Sequence, residues 1–251
     1  MTDHHSKNEK ERKEMSRRTF IKHTGYVTGG LVGGGLLGGW IGHRWFPGLD
    51  DSSETKEITQ DFQEARMFFK REEDFEVLAM AAETIFPEDH HGPGAIGLGV
   101  PYFIDRQLAG AWGNNIRDYM KGPFREGAET QGYQGSLTRG EIMLQGIRLI
   151  NKTSLSKYNQ KFVDIKENER VSILTEFAED KIKMRGVSSA RFFKLLRQAV
   201  LEGAYADPLY GGNKNMEGWR MKGHPGAVIS YLEHIEKDEF MKLDPVALKD
   251  H

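Results

Sequence analysis

The sequence predicts an all-α domain. Three observations carry that expectation. Apolar residues recur at helical spacing in several separate stretches; helix start and stop signals flank them; and no long β-branched run alternates at period two. The domain is expected over residues 70–251, with about five main helices and long irregular loops.

The first helix is expected from Glu72. Phe75, Leu78, Ala79, Ala82, Ile85 and Phe86 share one stripe, and Pro87 ends it. A loop with four glycines and Pro93 runs from Glu88 to Gly99. Pro101 suits the first turn of the second helix, whose inward face would be Phe103, Ile104 and Leu108. Glycines and Pro123 break residues 109–136 into an irregular surface segment.

Thr138-Arg139-Gly140-Glu141 has capping-box spacing and opens a helix running past Ile150. Residues 167–183 place Val171, Leu174, Phe177, Ala178 and Ile182 on one face. Residues 189–205 do the same with Phe192, Phe193, Leu195, Leu196, Ala199 and Val200, and stop before Asp207-Pro208. A last amphipathic stretch is expected near 226–237.

Composition fits this picture and excludes several functions. The chain has 251 residues, 35 Lys and Arg against 37 Asp and Glu, and a net charge of −2. It is long enough for a sizeable core, and the charge balance gives no footprint for nucleic acid. There is no cysteine. Disulfides, thiolate-held zinc, Cys-ligated iron–sulfur clusters and a covalent c-type haem are therefore excluded.

The charge is unevenly distributed. Residues 1–46 carry eight Lys or Arg and four Asp or Glu. Within them, Ser16-Arg17-Arg18-Thr19-Phe20-Ile21-Lys22 precedes an uncharged run from Gly25 to Gly42 in which nine of eighteen residues are glycine. A charged n-region, an arginine pair and a weakly apolar h-region are the parts of an export signal. Arg17, Arg18, Phe20 and Lys22 match the twin-arginine pattern. A glycine-rich core of low hydrophobicity suits that route, which carries folded proteins. No clear Ala-x-Ala-like cleavage site is evident in Trp40–Pro47, so residues 1–46 read as a twin-arginine signal or a retained signal anchor. Residues 47–69, rich in Gly, Ser, Asp and Glu, read as a linker.

Two loops hold the chemistry-bearing residues. The first contains Glu88, Asp89, His90 and His91, possible metal ligands that no second His-x-His or His-x-x-x-His spacing supports. The second runs through Tyr205, Asp207, Tyr210, Gly211, Gly212 and Asn213 to Gly218-Trp219 and Gly223-His224-Pro225-Gly226. Glycines there permit turns closed to other residues, and the aromatics supply anchoring surface. Such a loop either packs against its own domain or faces a partner. No Gly-x-Ser-x-Gly elbow exists, and His224 has no catalytic partner by spacing.

Ile85-Phe86-Pro87, Pro93-Gly94-Ala95, Gly99-Val100-Pro101-Tyr102-Phe103-Ile104-Asp105 and above all Asp207-Pro208-Leu209-Tyr210-Gly211-Gly212-Asn213 resemble the gluconate 2-dehydrogenase subunit 3 family. Gly218-Trp219 and Gly223-His224-Pro225-Gly226 extend the likeness, with His224 standing where an aromatic such as Tyr is expected. The resemblance covers roughly residues 70–230.

It implies a non-catalytic small subunit that binds and escorts a large GMC-type flavin dehydrogenase subunit acting on sugars or polyols. FAD would then sit in the partner, with no cofactor held by this chain. A cytochrome c subunit, the twin-arginine translocase and a membrane reached through the N-terminus complete the implied partners. The place implied is the periplasm or the outer face of the cytoplasmic membrane. Tyr210, Gly211, Gly212, Asn213, Trp219, Gly223 and Pro225 are the expected partner-binding residues. The alternative is an independent exported enzyme or metal-binding protein using His90, His91, Asp89 or His224.

Overall fold

The computed structural model describes residues 64–125 and 127–251. The arginine pair, Phe20, Lys22, the Gly25–Gly42 run and most of the expected linker lie outside the described residues. Among the described residues there are six α-helices and no strand, which agrees with the all-α expectation. None of these helices is long and apolar enough to cross a membrane.

Helix α1 spans Glu72–Ile85, with Glu72, Glu73 and Asp74 in its first turn, where acidic groups oppose the positive end of the helix dipole. Helix α2 spans Val100–Ala109, with its proline in the first turn as expected. Helix α3 spans Arg139–Tyr158. Its capping box is complete. Thr138 Oγ1 accepts from the Glu141 amide at 3.2 Å, and Glu141 Oε2 accepts from the Thr138 amide at 2.8 Å.

Helix α4 spans Glu167–Ala178, α5 Ser189–Tyr205 and the short α6 Glu217–Lys222. Ser188 caps α5 by accepting the Arg191 amide at 3.1 Å. Helix α5 packs against α1, α2, α3, α4 and α6, so the bundle is built round it. Phe192, Leu196, Ala199, Val200 and Ala204 run along its buried side. They meet Leu78 and Ala82 of α1, Ile104 and Leu108 of α2, Ile147 of α3 and Phe177 of α4 in one core. Phe177 and Phe192 make an edge-to-face pair at 5.5 Å.

Polar ties fix the register of α1 on α3. Asp74 is buried, and Arg148 reaches it through Nε at 3.0 Å and a terminal guanidinium nitrogen at 2.9 Å. Asn151 Nδ2 donates to Glu73 at 2.9 Å, while Asn151 Oδ1 accepts the buried Phe162 amide at 3.0 Å.

Three sequence expectations need correction. Helix α4 ends at Ala178, and Ile182 lies beyond it. Its buried residues are Ile173, Leu174 and Phe177; Val171 sits roughly a third of a turn from their centre at about 100° per residue and is exposed. The stretch 226–237 forms only a 3₁₀ turn at Leu232–His234, because the described residues leave Ile229, Leu232 and Ile235 exposed and an isolated short helix is marginal. Residues 67–69, placed in the linker, belong to the body: Phe69 is buried, and the amides of Met67, Phe68 and Phe69 all donate to the Asp105 carboxylate.

Candidate functional site

The two loops singled out in the sequence meet in the structure. The Lys214 amide donates to the Leu98 carbonyl at 3.1 Å. Gly99 and Gly211 lie so close that a Cβ on Gly99 would sit 3.2 Å from the Gly211 carbonyl oxygen. Farther along, a Cβ on Gly92 would fall 2.6 Å from Met221 Sδ, so the first loop also leans on α6. Sequence spacing gave no signal for these contacts, which join positions more than a hundred residues apart.

The first loop is shaped by Glu83 of α1. Its two carboxylate oxygens accept the amides of Glu88, at 3.1 Å, and Ile96, at 2.8 Å. Asp89 and Gly92 exchange backbone hydrogen bonds at 3.1 and 3.2 Å across the turn. This brings donor atoms of Asp89, His90 and His91 within 4.8 Å of one another, all three residues exposed. The His91 amide donates to Asp89 Oδ1 at 2.8 Å. That bond holds the Asp89 carboxyl below its ordinary value, against the opposing effect of desolvation, with charge on His91 and His90 adding to the lowering. His224 stands in a different setting, its ring edge-to-face with Trp219 at 5.5 Å.

The second loop is organised by two buried polar residues. Asp207 Oδ1 accepts the Leu209 amide at 2.9 Å, starting the 3₁₀ turn Pro208–Tyr210, and its Oδ2 accepts the Leu248 amide at 2.9 Å. Asn213 is fully buried; its Oδ1 accepts the Gly218 amide at 2.8 Å, and its Nδ2 donates to the Ala206 carbonyl at 2.9 Å. It thereby closes the loop on itself.

The glycines answer to specific constraints. Gly211 has φ +92°, a backbone conformation that disfavours any side chain, and a Cβ there would fall 2.5 Å from the Arg106 guanidinium. At Gly212 a Cβ would lie 2.2 Å from the Gly203 carbonyl oxygen of α5. Gly223, at φ +61°, ends α6 in the left-handed conformation common at helix ends.

Trp219 corrects the sequence expectation of a partner contact. It is only 6% exposed, and its indole N–H donates to the Tyr205 carbonyl at the end of α5, at 2.8 Å. Its ring also lies against Gly226, where a Cβ would come within 2.6 Å of it. The ring is an internal anchor because it is almost wholly buried and its one donor is satisfied inside the subunit. Asn213 and Gly212 are likewise buried. What the loop presents outward is Tyr210, 51% exposed, beside Leu209 and a cleft of about 440 Å³ lined by Tyr205, Trp219, Lys222, His224 and Pro225. Lys222 Nζ lies 4.9 Å from the centre of the Tyr205 ring, over its face.

Beyond Pro225 the chain leaves the loop and returns to it. The Pro225 carbonyl accepts from Val246 at 3.2 Å, and the Ala227 amide donates to the Val246 carbonyl at 2.8 Å.

A family model described as gluconate 2-dehydrogenase subunit 3 matches residues 72–226, more than half of the chain and both loops. No curated protein and no solved structure gives a significant match.

Proposed function

Because the chain belongs to the gluconate 2-dehydrogenase subunit 3 family, an accessory subunit of a multi-subunit dehydrogenase, we propose that it binds a large flavin-dependent, GMC-type catalytic subunit and escorts it out of the cell interior by the twin-arginine route. The family match over residues 72–226 is the observation that carries this reading. FAD belongs to the partner, and a cytochrome c subunit completes the electron path. The small subunit contributes no catalytic group. Its work is recognition and transport, with Tyr210 and Leu209 at the loop's outward face and Trp219, Asn213 and Asp207 holding that face in shape. The complex sits at the outer face of the cytoplasmic membrane or in the periplasm.

The test uses the arginine pair. Arg17→Lys combined with Arg18→Lys keeps both charges and removes guanidinium geometry. In cells making both subunits, the double variant is expected to leave both proteins inside, while they still associate with each other. Export of the flavin subunit at the wild-type level by the double-lysine chain would disprove the escort.

A metal-binding role has one observation in its favour, the convergence of Asp89, His90 and His91 donor atoms. Two imidazoles and a carboxylate suit Zn²⁺, Cu²⁺ or Ni²⁺. Elemental analysis of the purified chain checks it. Stoichiometric metal that disappears in the His90→Ala, His91→Ala double variant would establish this role; equal metal content in both proteins would dismiss it.

A further inference from the structure

We infer that residues 227–245 form a docking arm that seats in an apolar, basic-rimmed groove of the large subunit. The inference rests on the accessory-subunit reading and adds the surface through which the partner is held.

The arm is clamped at both ends. Gly226 pairs with Val246, Ala247 is fully buried, and Asp207 takes the Leu248 amide. The segment between is thus a closed excursion from the body, not a frayed end. Yet it carries a run of large, highly exposed apolar groups: Phe240 is 94% exposed, Leu232 77%, Ile229 76% and Ile235 72%, with Tyr231 half exposed. Five large apolar side chains exposed between residues 229 and 240 are more than the scattered single ones ordinary on a soluble surface, and such concentrations mark interaction sites.

The sequence of the arm is that of a helix lacking its support. Ser230-Tyr231-Leu232-Glu233 has capping-box spacing, and Val228, Tyr231, Leu232 and Ile235 share one face at helical period. In the free chain only the turn at Leu232–His234 forms, with Ser230 Oγ accepting the Leu232 amide at 3.2 Å. A groove that takes the apolar face supplies the missing packing, as in helix-in-groove recognition. Glu233, Glu236, Asp238 and Glu239 outnumber Lys237 and Lys242, which sets the charge of the groove's rim as basic. The arm's base adjoins the outward Leu209–Tyr210 turn, since Pro208–Tyr210 packs on Leu248–Asp250, so one partner can cover both.

A second copy of this chain is the competing occupant. Leu144 and Leu149 form an apolar floor whose edges are mostly basic, with Arg148, Lys152, Lys183 and Arg185 against Glu141. Family membership favours a different subunit, because it supplies one.

The full chain is co-expressed with its large flavin subunit, as wild type and as the variant Leu232→Ser, Ile235→Ser, Phe240→Ser. The substituted side chains are mostly exposed, so the variant is expected to melt with the wild type. Its affinity for the flavin subunit is expected to fall about tenfold or more. Hydrogen exchange of amides 231–240 is expected to be fast in the free chain and slowed in the complex. Equal binding by the variant, or fast exchange in the complex, would overturn the arm while leaving the accessory role intact. Failure of the wild type to bind the flavin subunit would overturn the accessory role itself. Sedimentation showing that the variant loses self-association and keeps the flavin subunit would assign the arm to a second copy.

Discussion

Trp219→Ala is expected to destabilise the subunit by about 3–5 kcal/mol, the usual cost of truncating a large buried aromatic. Three losses coincide. The buried ring leaves a cavity between α5 and the returning chain. The Tyr205 carbonyl loses the indole N–H at 2.8 Å. The edge-to-face contact with His224 at 5.5 Å also disappears. For a body of this size the melting temperature should drop by roughly 10 °C. Trp219→Phe keeps one six-membered ring but loses the rest of the indole with its N–H, and should cost less than Ala, about 1–3 kcal/mol. Thermal melting followed by circular dichroism checks both. An interface residue would give the opposite pattern: a wild-type melt for Trp219→Ala with selective loss of the flavin subunit.

The same residue shows what a sequence discloses and what it withholds. An aromatic among glycines reads equally as a partner anchor or as a loop's own core, because local spacing is the same in both. Only the approach of Tyr205 and Gly226 decides it. Where the cause of structure is local, the sequence was legible. The capping box at Thr138 appears atom for atom, and Pro101 and Pro87 punctuate the helices as their missing amides require. Stripe counting failed where periodicity lacked a neighbour. The stretch 226–237 has the helical pattern, but among the described residues nothing covers Ile229, Leu232 or Ile235. The first loop's shape also escaped, because nothing local marks Glu83 as the acceptor of amides five and thirteen positions downstream. The family resemblance rested on strings whose physical reasons emerged only in three dimensions. Gly211 and Gly212 are required by Arg106, over a hundred residues away, and by the α5 backbone at Gly203, which only the folded turn brings against Gly212.

Asp105→Ala is expected to cost about 3 kcal/mol or more, although an aspartate in the middle of an apolar helix stripe resembles a pattern error. The residue is completely buried on α2. Its Oδ1 accepts the Phe69 amide at 2.8 Å and the Phe68 amide at 3.1 Å, and Oδ2 accepts from Met67 and Phe68. The carboxylate thus gathers three consecutive amides of a segment that has no helix of its own to satisfy them. Removing it leaves the buried Phe69 amide without an acceptor, at about 1–3 kcal/mol, and forfeits charge-assisted bonds to the other two. Phe69 and Phe68, which close the core beside α2, lose the tether that positions them. Asp105→Asn separates the possible causes. A residue that merely filled space would tolerate the amide, which has nearly the same shape. An acceptor would not, because the new NH₂ group turns two donors toward backbone N–H groups. Asn is therefore expected to lose at least half of what Ala loses, measured by denaturant midpoint at constant slope. A wild-type midpoint for Asp105→Asn would show that the carboxylate is not what holds the entering chain to α2.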